Sequence, residues 1–386
     1  MSEQHAEREQ RVTPLELFFD LVFVFGFTQV TTVLSDDRTW SGLGHGLLIL
    51  AALWWAWAAY AWLTNTVDPG EGAVWGAILV AMAAMFVAAL AVPETFGRHG
   101  VIFGVSFLIV NLMYLALYAL GARDDRDLLA AILRSAPSAL AGSMLILAAA
   151  FVDGWTRPLL WLAALTVGLF GPLLGGTSGW RVQPAHFVER HGLIVIIAIG
   201  ESFVAIGLGA RSTELTTGVI VAAVLGLLVT TSFWLAYFDF FSIRGERLLA
   251  DRSGADRIAL ARDVYSYLHL PMVAGIVLFA FAMKTTLAHV GVKLDTISAV
   301  GLCWGPALYL FAYVTLRFRV SRTFGRGRSV AAIACGLLLP VSLVVPALAA
   351  FALVAAVWVA LHAYEIIWWR EARAQTRALR LPVSAS

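Results

Sequence analysis

Glu16 and Asp20 stand one helical turn apart at the start of an otherwise apolar run, Pro14-Leu-Glu-Leu-Phe-Phe-Asp-Leu-Val-Phe-Val-Phe-Gly-Phe-Thr-Gln29. At i, i+4 two carboxylates share one helix face. An Asp at the middle of a bilayer costs about +2.5 to +3.5 kcal/mol on the insertion scale, so such acids persist where they meet a partner, water or a solute path. For Glu16 there is a plainer reading, a place at the headgroups beside the positive helix N-terminus. Asp20 lies deeper, and Gln29 deeper still.

Two later segments carry the other titratable groups. His186-Phe-Val-Glu-Arg-His191 places His186, Glu189 and Arg190 within one turn, and His191 follows. Arg190 and Glu201 are eleven residues apart and return to nearly the same helix face. Glu201 sits between Gly200 and Ser202, with apolar residues beyond on both sides. The chemistry open to it is proton or cation binding; the plainer reading is an interhelical hydrogen bond. In Arg262-Asp-Val-Tyr-Ser-Tyr-Leu-His-Leu-Pro271, Asp263 pairs with Tyr267 and Tyr265 with His269 at i, i+4. Pro271 removes a backbone hydrogen bond and is expected to kink that helix. Asp239, His362 and Glu365 end other apolar runs. Among all of these, Glu16, Asp20, Glu189, Arg190, His191, Glu201, Asp263, Tyr267 and His269 are the expected substrate- or ion-binding residues. No catalytic set, metal site or cofactor is expected: the chain has no Walker loop, dinucleotide fingerprint, Gly-x-Ser-x-Gly elbow or His-Glu-x-x-His pair. The Trp54-Trp-Ala-Trp57 cluster and Trp368-Trp369 read as interface belts or packing.

The elements that must position these residues are membrane spans. The 386 residues are 60% hydrophobic and 13% charged, about half the charge of a soluble domain, with a mean hydropathy of +0.82. A net charge of +2 gives no reason to expect a nucleic-acid partner; membrane lipids and a small solute or ion are the expected ones. Cys303 and Cys335 lie in apolar runs and supply no disulfide framework. Residues 1–13 lack the short apolar core and cleavage site of a signal peptide, so the first span is expected to be retained. Apolar runs long enough to cross a bilayer, which takes roughly 20 residues, fall near 14–34, 42–65, 72–93, 100–121, 128–152, 157–175, 185–209, 214–241, 260–284, 294–316, 329–346 and 347–369. In the last pair, Pro340 and Pro346 favour two helices over one long one.

The expected fold class is an all-α polytopic transmembrane bundle of about twelve helices. Of the 27 Lys and Arg, 19 fall in alternate segments on one side of this layout and 6 on the other, with Arg134 and Arg190 inside helices. The positive-inside rule puts the richer side, and both termini, in the cytoplasm. The tail 1–13 and the basic tail 370–386 then flank a membrane domain, 14–369, in the cell's inner, plasma membrane. Glu16 recurs as Glu189, and Trp57-Ala-Ala-Tyr60 as Trp234-Leu-Ala-Tyr237, at offsets of about half the helical part. Two tandem six-helix halves of the same orientation, 14–175 and 185–369, are one reading of this; chance likeness of short apolar motifs is the other.

Glu16-Leu-Phe-Phe-Asp20-Leu-Val-Phe-Val, His186-Phe-Val-Glu-Arg-His-Gly-Leu with Ile-Gly-Glu201-Ser, and Tyr265-Ser-Tyr-Leu-His269-Leu-Pro271 together resemble the bacterial low temperature requirement protein A family. The resemblance runs from about residue 11 to 370. It implies an integral membrane protein and marks the motif residues as important without giving them roles; the family is named for a growth phenotype. From the residues themselves, the leading reading is a secondary transporter or ion-coupled permease. In it Asp20, Glu201 and Asp263 serve as proton or cation sites and Arg190 balances charge. An intramembrane enzyme acting on lipid or isoprenoid substrates, with His269 or His191 as base, stays open beside it. So does a non-catalytic membrane sensor or assembly protein.

Overall fold

The computed structural model describes residues 11–67, 72–211, 213–239 and 241–368. Most of the N-terminal tail, the Asp68-Pro-Gly70 break, Trp369 and the basic tail from Arg370 lie outside them. The described residues are helical almost throughout: α1 Pro14–Asp36, α2 Trp40–Thr64, α3 Gly72–Ala91, α4 Gly100–Gly121, α5 Arg126–Ala149, α6 Thr156–Leu174, α7 Pro184–Arg211, α8 Thr217–Phe238, α9 Phe241–Ala250, α10 Gly254–Ala261, α11 His269–Ala288, α12 Thr296–Ser321, α13 Arg326–Leu337, α14 Leu339–Ser342 and α15 Ala347–Trp368.

Local chemistry sets the starts. Asp125, Thr216 and Asp295 cap α5, α8 and α12, each side chain accepting from a backbone N–H three residues on. α1 opens with a capping box. Thr13 Oγ1 accepts from the Glu16 N–H at 3.3 Å, and Glu16 Oε2 accepts from the Thr13 N–H at 2.8 Å. Pro14 fills the first helical position, where its missing N–H costs nothing. Along α1, Glu16, Phe19, Asp20, Phe23, Phe27, Val30 and Leu34 are buried, while Leu17, Phe18 and Leu21 are exposed. The acids therefore share the inward stripe, and the outward face is the apolar one suited to lipid.

Among the described residues, eleven helical stretches are long and apolar enough to cross a membrane. One of them, Gly254–Ala288, is not a plain α-helix. Between α10 and α11 the backbone takes a π-helical turn, Arg262–Tyr267. The expected run 329–346 is also broken, into the 12-residue α13 and the one-turn α14, with Pro340 in the first turn of the latter. It still runs from one end of α12 to the other. The α15 N-terminus is tied to the loop before α12, Ala347 N–H donating to the Val292 carbonyl at 2.8 Å and Leu348 N–H to the Val290 carbonyl at 3.0 Å, beside a Lys293–Pro346 bridge. α13 begins just past the C-terminal end of α12. The 26 residues of α12 are about 39 Å long at 1.5 Å each, so α13 and α14 with the turn after them supply a twelfth traverse.

The fold divides into two compact units. The first holds the chain through Val30, His45–Ile194 and Leu248–Arg262; in it α3, α4, α5 and α6 pack as successive neighbours. The second holds Thr31–Gly44, Val195–Arg247 and the chain from Asp263; its centre is the α11–α12 hairpin, with α8 and α13 packed against it and α15 against both of those. In that hairpin a Cβ on Gly275 would stand 2.5 Å from the Gly305 carbonyl oxygen, and one on Gly305 2.8 Å from that of Gly275. Small residues let the two backbones approach this closely.

Candidate functional site

The first unit contains a buried charge cluster built from α1, α2 and α7. Glu16, Asp20 and Arg190 are 2%, 1% and 0% exposed. Arg190 Nη2 lies 3.0 Å from Asp20 Oδ1, and its Nε lies 3.7 Å from Glu16 Oε1. Trp57 of α2 donates its indole N–H to Asp20 Oδ1 at 2.9 Å, and the guanidinium sits 5.8 Å from the Trp57 ring centre. Glu16 is the better supplied acid. It accepts from the Thr13 N–H and, at 3.0 Å, the Thr13 hydroxyl. His186 Nε2 lies 3.1 and 3.2 Å from its two oxygens. One oxygen of each acid, Glu16 Oε1 and Asp20 Oδ2, and Arg190 Nη1 are buried without a hydrogen-bond partner.

Two carboxylates against one guanidinium leave this cluster one negative charge in excess when His186 is neutral. In a low-dielectric interior an uncompensated ion costs several kcal/mol. A single proton removes the excess.

The other expected residues fall in different settings. Glu189 is exposed and accepts from the Val12 N–H at 3.3 Å; one residue from Arg190, it is turned about 100° away. His191 is buried, with Nδ1–H donating to the Phe187 carbonyl of its own helix at 2.8 Å and its ring edge-on to Trp57. In the second unit Glu201 is 1% exposed and accepts a 2.7 Å hydrogen bond from the Thr31 hydroxyl. Asp263 is ion-paired to Arg319 at 2.9 Å and is part-exposed. Tyr267 is half-buried. Glu365, expected at a helix end, pairs at 2.7 Å with Arg328, whose guanidinium carbon lies 3.8 Å from the centre of the Tyr313 ring.

His269 shows what the π turn does. In an α-helix the Leu268 N–H would bond to the Val264 carbonyl; here it reaches Asp263 instead, at 3.2 Å. The released Val264 carbonyl accepts from His269 Nδ1–H at 2.8 Å. His269 Nε2 is then the acceptor, facing the Tyr237 hydroxyl at 3.0 Å, with Tyr265 stacked on the ring. The regular i, i+4 helix expected across Asp263–His269 is thus replaced by a π turn, which lies in the turn before Pro271.

Several contributors were not anticipated. Thr13-Pro-Leu-Glu16 is a readable capping box that explains part of the Glu16 environment. Trp57 was assigned to packing, yet it serves the cluster through its N–H. Thr31 follows Asp20 by eleven residues, as Glu201 follows Arg190, a spacing that repeats the helix face. Asn65 and Arg328 carry no local signal of this kind.

The profile of the bacterial low temperature requirement A protein (LtrA) matches residues 11–363. The chain is also similar to the "Uncharacterized protein RA0937" of Rhizobium meliloti (strain 1021), with 31% identity over 307 residues, 76% of this chain and 74% of that protein. No solved structure matches it.

Proposed function

The chain belongs to the bacterial low temperature requirement A protein family, and we propose that this membrane protein is a proton-coupled secondary transporter in which Asp20 exchanges the proton. The supporting observation is the charge count of the buried cluster, with its open oxygen on Asp20. Glu16 meets four donors or charges, the Thr13 N–H and hydroxyl, His186 and Arg190, and Asp20 meets fewer. With the proton on Asp20, the cluster is neutral and stable in a dry interior. Without it, the cluster favours arrangements that admit water or a cation. Proton binding then biases one conformation over another by differential stability, the condition for coupling proton movement to that of a second solute.

In the second unit Glu201, beside Thr31, is the further acid in this reading. Asp263 has a charge partner of its own in Arg319 and is left outside it. The proposed setting is the bacterial plasma membrane with both termini cytoplasmic, on the Lys and Arg asymmetry, and with two tandem halves, 14–175 and 185–369. One observation favours a second reading. The π turn fixes His269 in the tautomer whose Nε2 is the acceptor, hydrogen-bonded to the Tyr237 hydroxyl, a buried His–Tyr pair of the kind an intramembrane enzyme would use for proton transfer.

The experiment is proton flux in proteoliposomes loaded with a pH-sensitive dye, under a potassium diffusion potential. Amino acids, sugars, organic acids and inorganic ions are offered singly. At least one should drive proton movement that Asp20→Asn and Glu201→Gln lose while remaining inserted and folded. Flux no faster than that of empty liposomes with every solute, or full flux in Asp20→Asn, overturns the proposal.

A further inference from the structure

We infer that Asn65, just beyond the end of α2, is a positioning residue that fixes which ring nitrogen of His186 carries the proton. Asn65 and His186 are 2% and 0% exposed. The Gln183 backbone N–H donates to Asn65 Oδ1 at 2.6 Å, and Asn65 Nδ2 donates to the Gln183 carbonyl at 3.2 Å. One backbone donor and one backbone acceptor cannot exchange roles, so the amide has a single orientation. In that orientation Nδ2 also faces His186 Nδ1, at 3.0 Å. An amide nitrogen can only donate. His186 Nδ1 must therefore present its lone pair, and the ring proton must be on Nε2, aimed at the Glu16 oxygens.

An imidazolium carries protons on both nitrogens. His186 cannot become one without setting an N–H against the Asn65 amino group, although Glu16 and Asp20 of α1 would favour the added charge. Arg190, on its own helix, opposes it; α2 adds Trp57 and Asn65, which do not titrate. His186 is thus a fixed neutral donor. If the transport reading holds, on which this consequence rests, the cluster's proton is stored on a carboxylate and never on the imidazole.

Ring nitrogen NMR of the full-length protein, labelled at histidine and held in lipid nanodiscs, tests the tautomer directly. The His186 signals are assigned by their loss in His186→Gln. Wild type should show Nδ1 bare and Nε2 protonated from about pH 6 to pH 8, across the range where an ordinary histidine titrates. Asn65→Asp sets an acceptor against Nδ1 and keeps the acceptor for Gln183; in it, both nitrogens should be protonated at neutral pH. An Nδ1–H or doubly protonated ring in the wild type overturns the inference even if Asn65→Asp does not fold. So does an unchanged ring in a folded Asn65→Asp. The spectrum does not depend on flux: the expected tautomer without any proton movement would leave Asn65 in place and remove the transport reading.

Discussion

At the scale of single residues, Arg190 is where charge and stability meet. It is buried between two acids, 3.0 Å from one and 3.7 Å from the other. Removing it leaves two carboxylates in a dry interior. Truncating one member of a buried pair costs about 3–5 kcal/mol, largely through the charge left behind. Arg190→Met is therefore expected to lower thermal stability in detergent sharply, and adding Asp20→Asn should restore part of the loss. Equal stability of the single and double variants would show that the two side chains are not coupled. The acids and the arginine were legible in the sequence because charge inside an apolar run is costly enough to need a reason. Their partners were not. Trp57 and Asn65 are ordinary near helix ends and interfaces, and only the tertiary arrangement shows that each supplies one N–H to the cluster. Glu189 lies beside Arg190 in sequence and on another face in space.

At the scale of elements, backbone geometry decides more than composition does. The run 260–284 reads as one helix kinked at Pro271, and its period gives no warning of the π turn at Arg262–Tyr267. A one-residue shift in hydrogen bonding leaves the apolar pattern almost intact, so hydropathy is blind to it. Pro340 and Pro346 mark the division between 329–346 and 347–369 in the sequence; the further break inside the first run, between α13 and α14, carries no separate signal there. The α11–α12 hairpin depends on absent side chains. Gly305→Ala forces a methyl against the Gly275 carbonyl and the Phe279 N–H. Overpacking of this kind costs about 1–3 kcal/mol, to be read as a lower melting temperature. Gly336→Ala in α13 is the control: nothing lies within 4 Å of its new methyl, so only the helix preference of Ala acts, raising stability by up to about 1 kcal/mol. Comparable melting temperatures for the two variants would remove the close backbone contact as a source of stability.

At the scale of the whole molecule, the number of crossings fixes the sidedness of the ends. Eleven helical stretches are long and apolar enough to cross the membrane. The traverse made by α13 and α14 brings the count among the described residues to twelve, and an even count leads to the expectation that the two termini lie on one side. Reporter fusions at each end should both read cytoplasmic; opposite readings would mean that residues 326–346 enter the membrane and return on the side they came from. The all-helical, multi-span architecture was readable because length and apolarity are set by the bilayer itself. The tie between the start of α15 and the loop before α12 was not readable, since it joins backbone groups and leaves no mark on residue type. That tie bears on how the protein is made. The 12 residues of α13 are about 18 Å long at 1.5 Å each and do not reach across a hydrocarbon core of about 30 Å unaided. The ribosome delivers α15 after it, and the docking place for α15 is complete once the loop at Val290–Lys293 has crossed. The broken traverse therefore leans on α15, which packs against both α13 and α14, and the last two traverses hold each other in place.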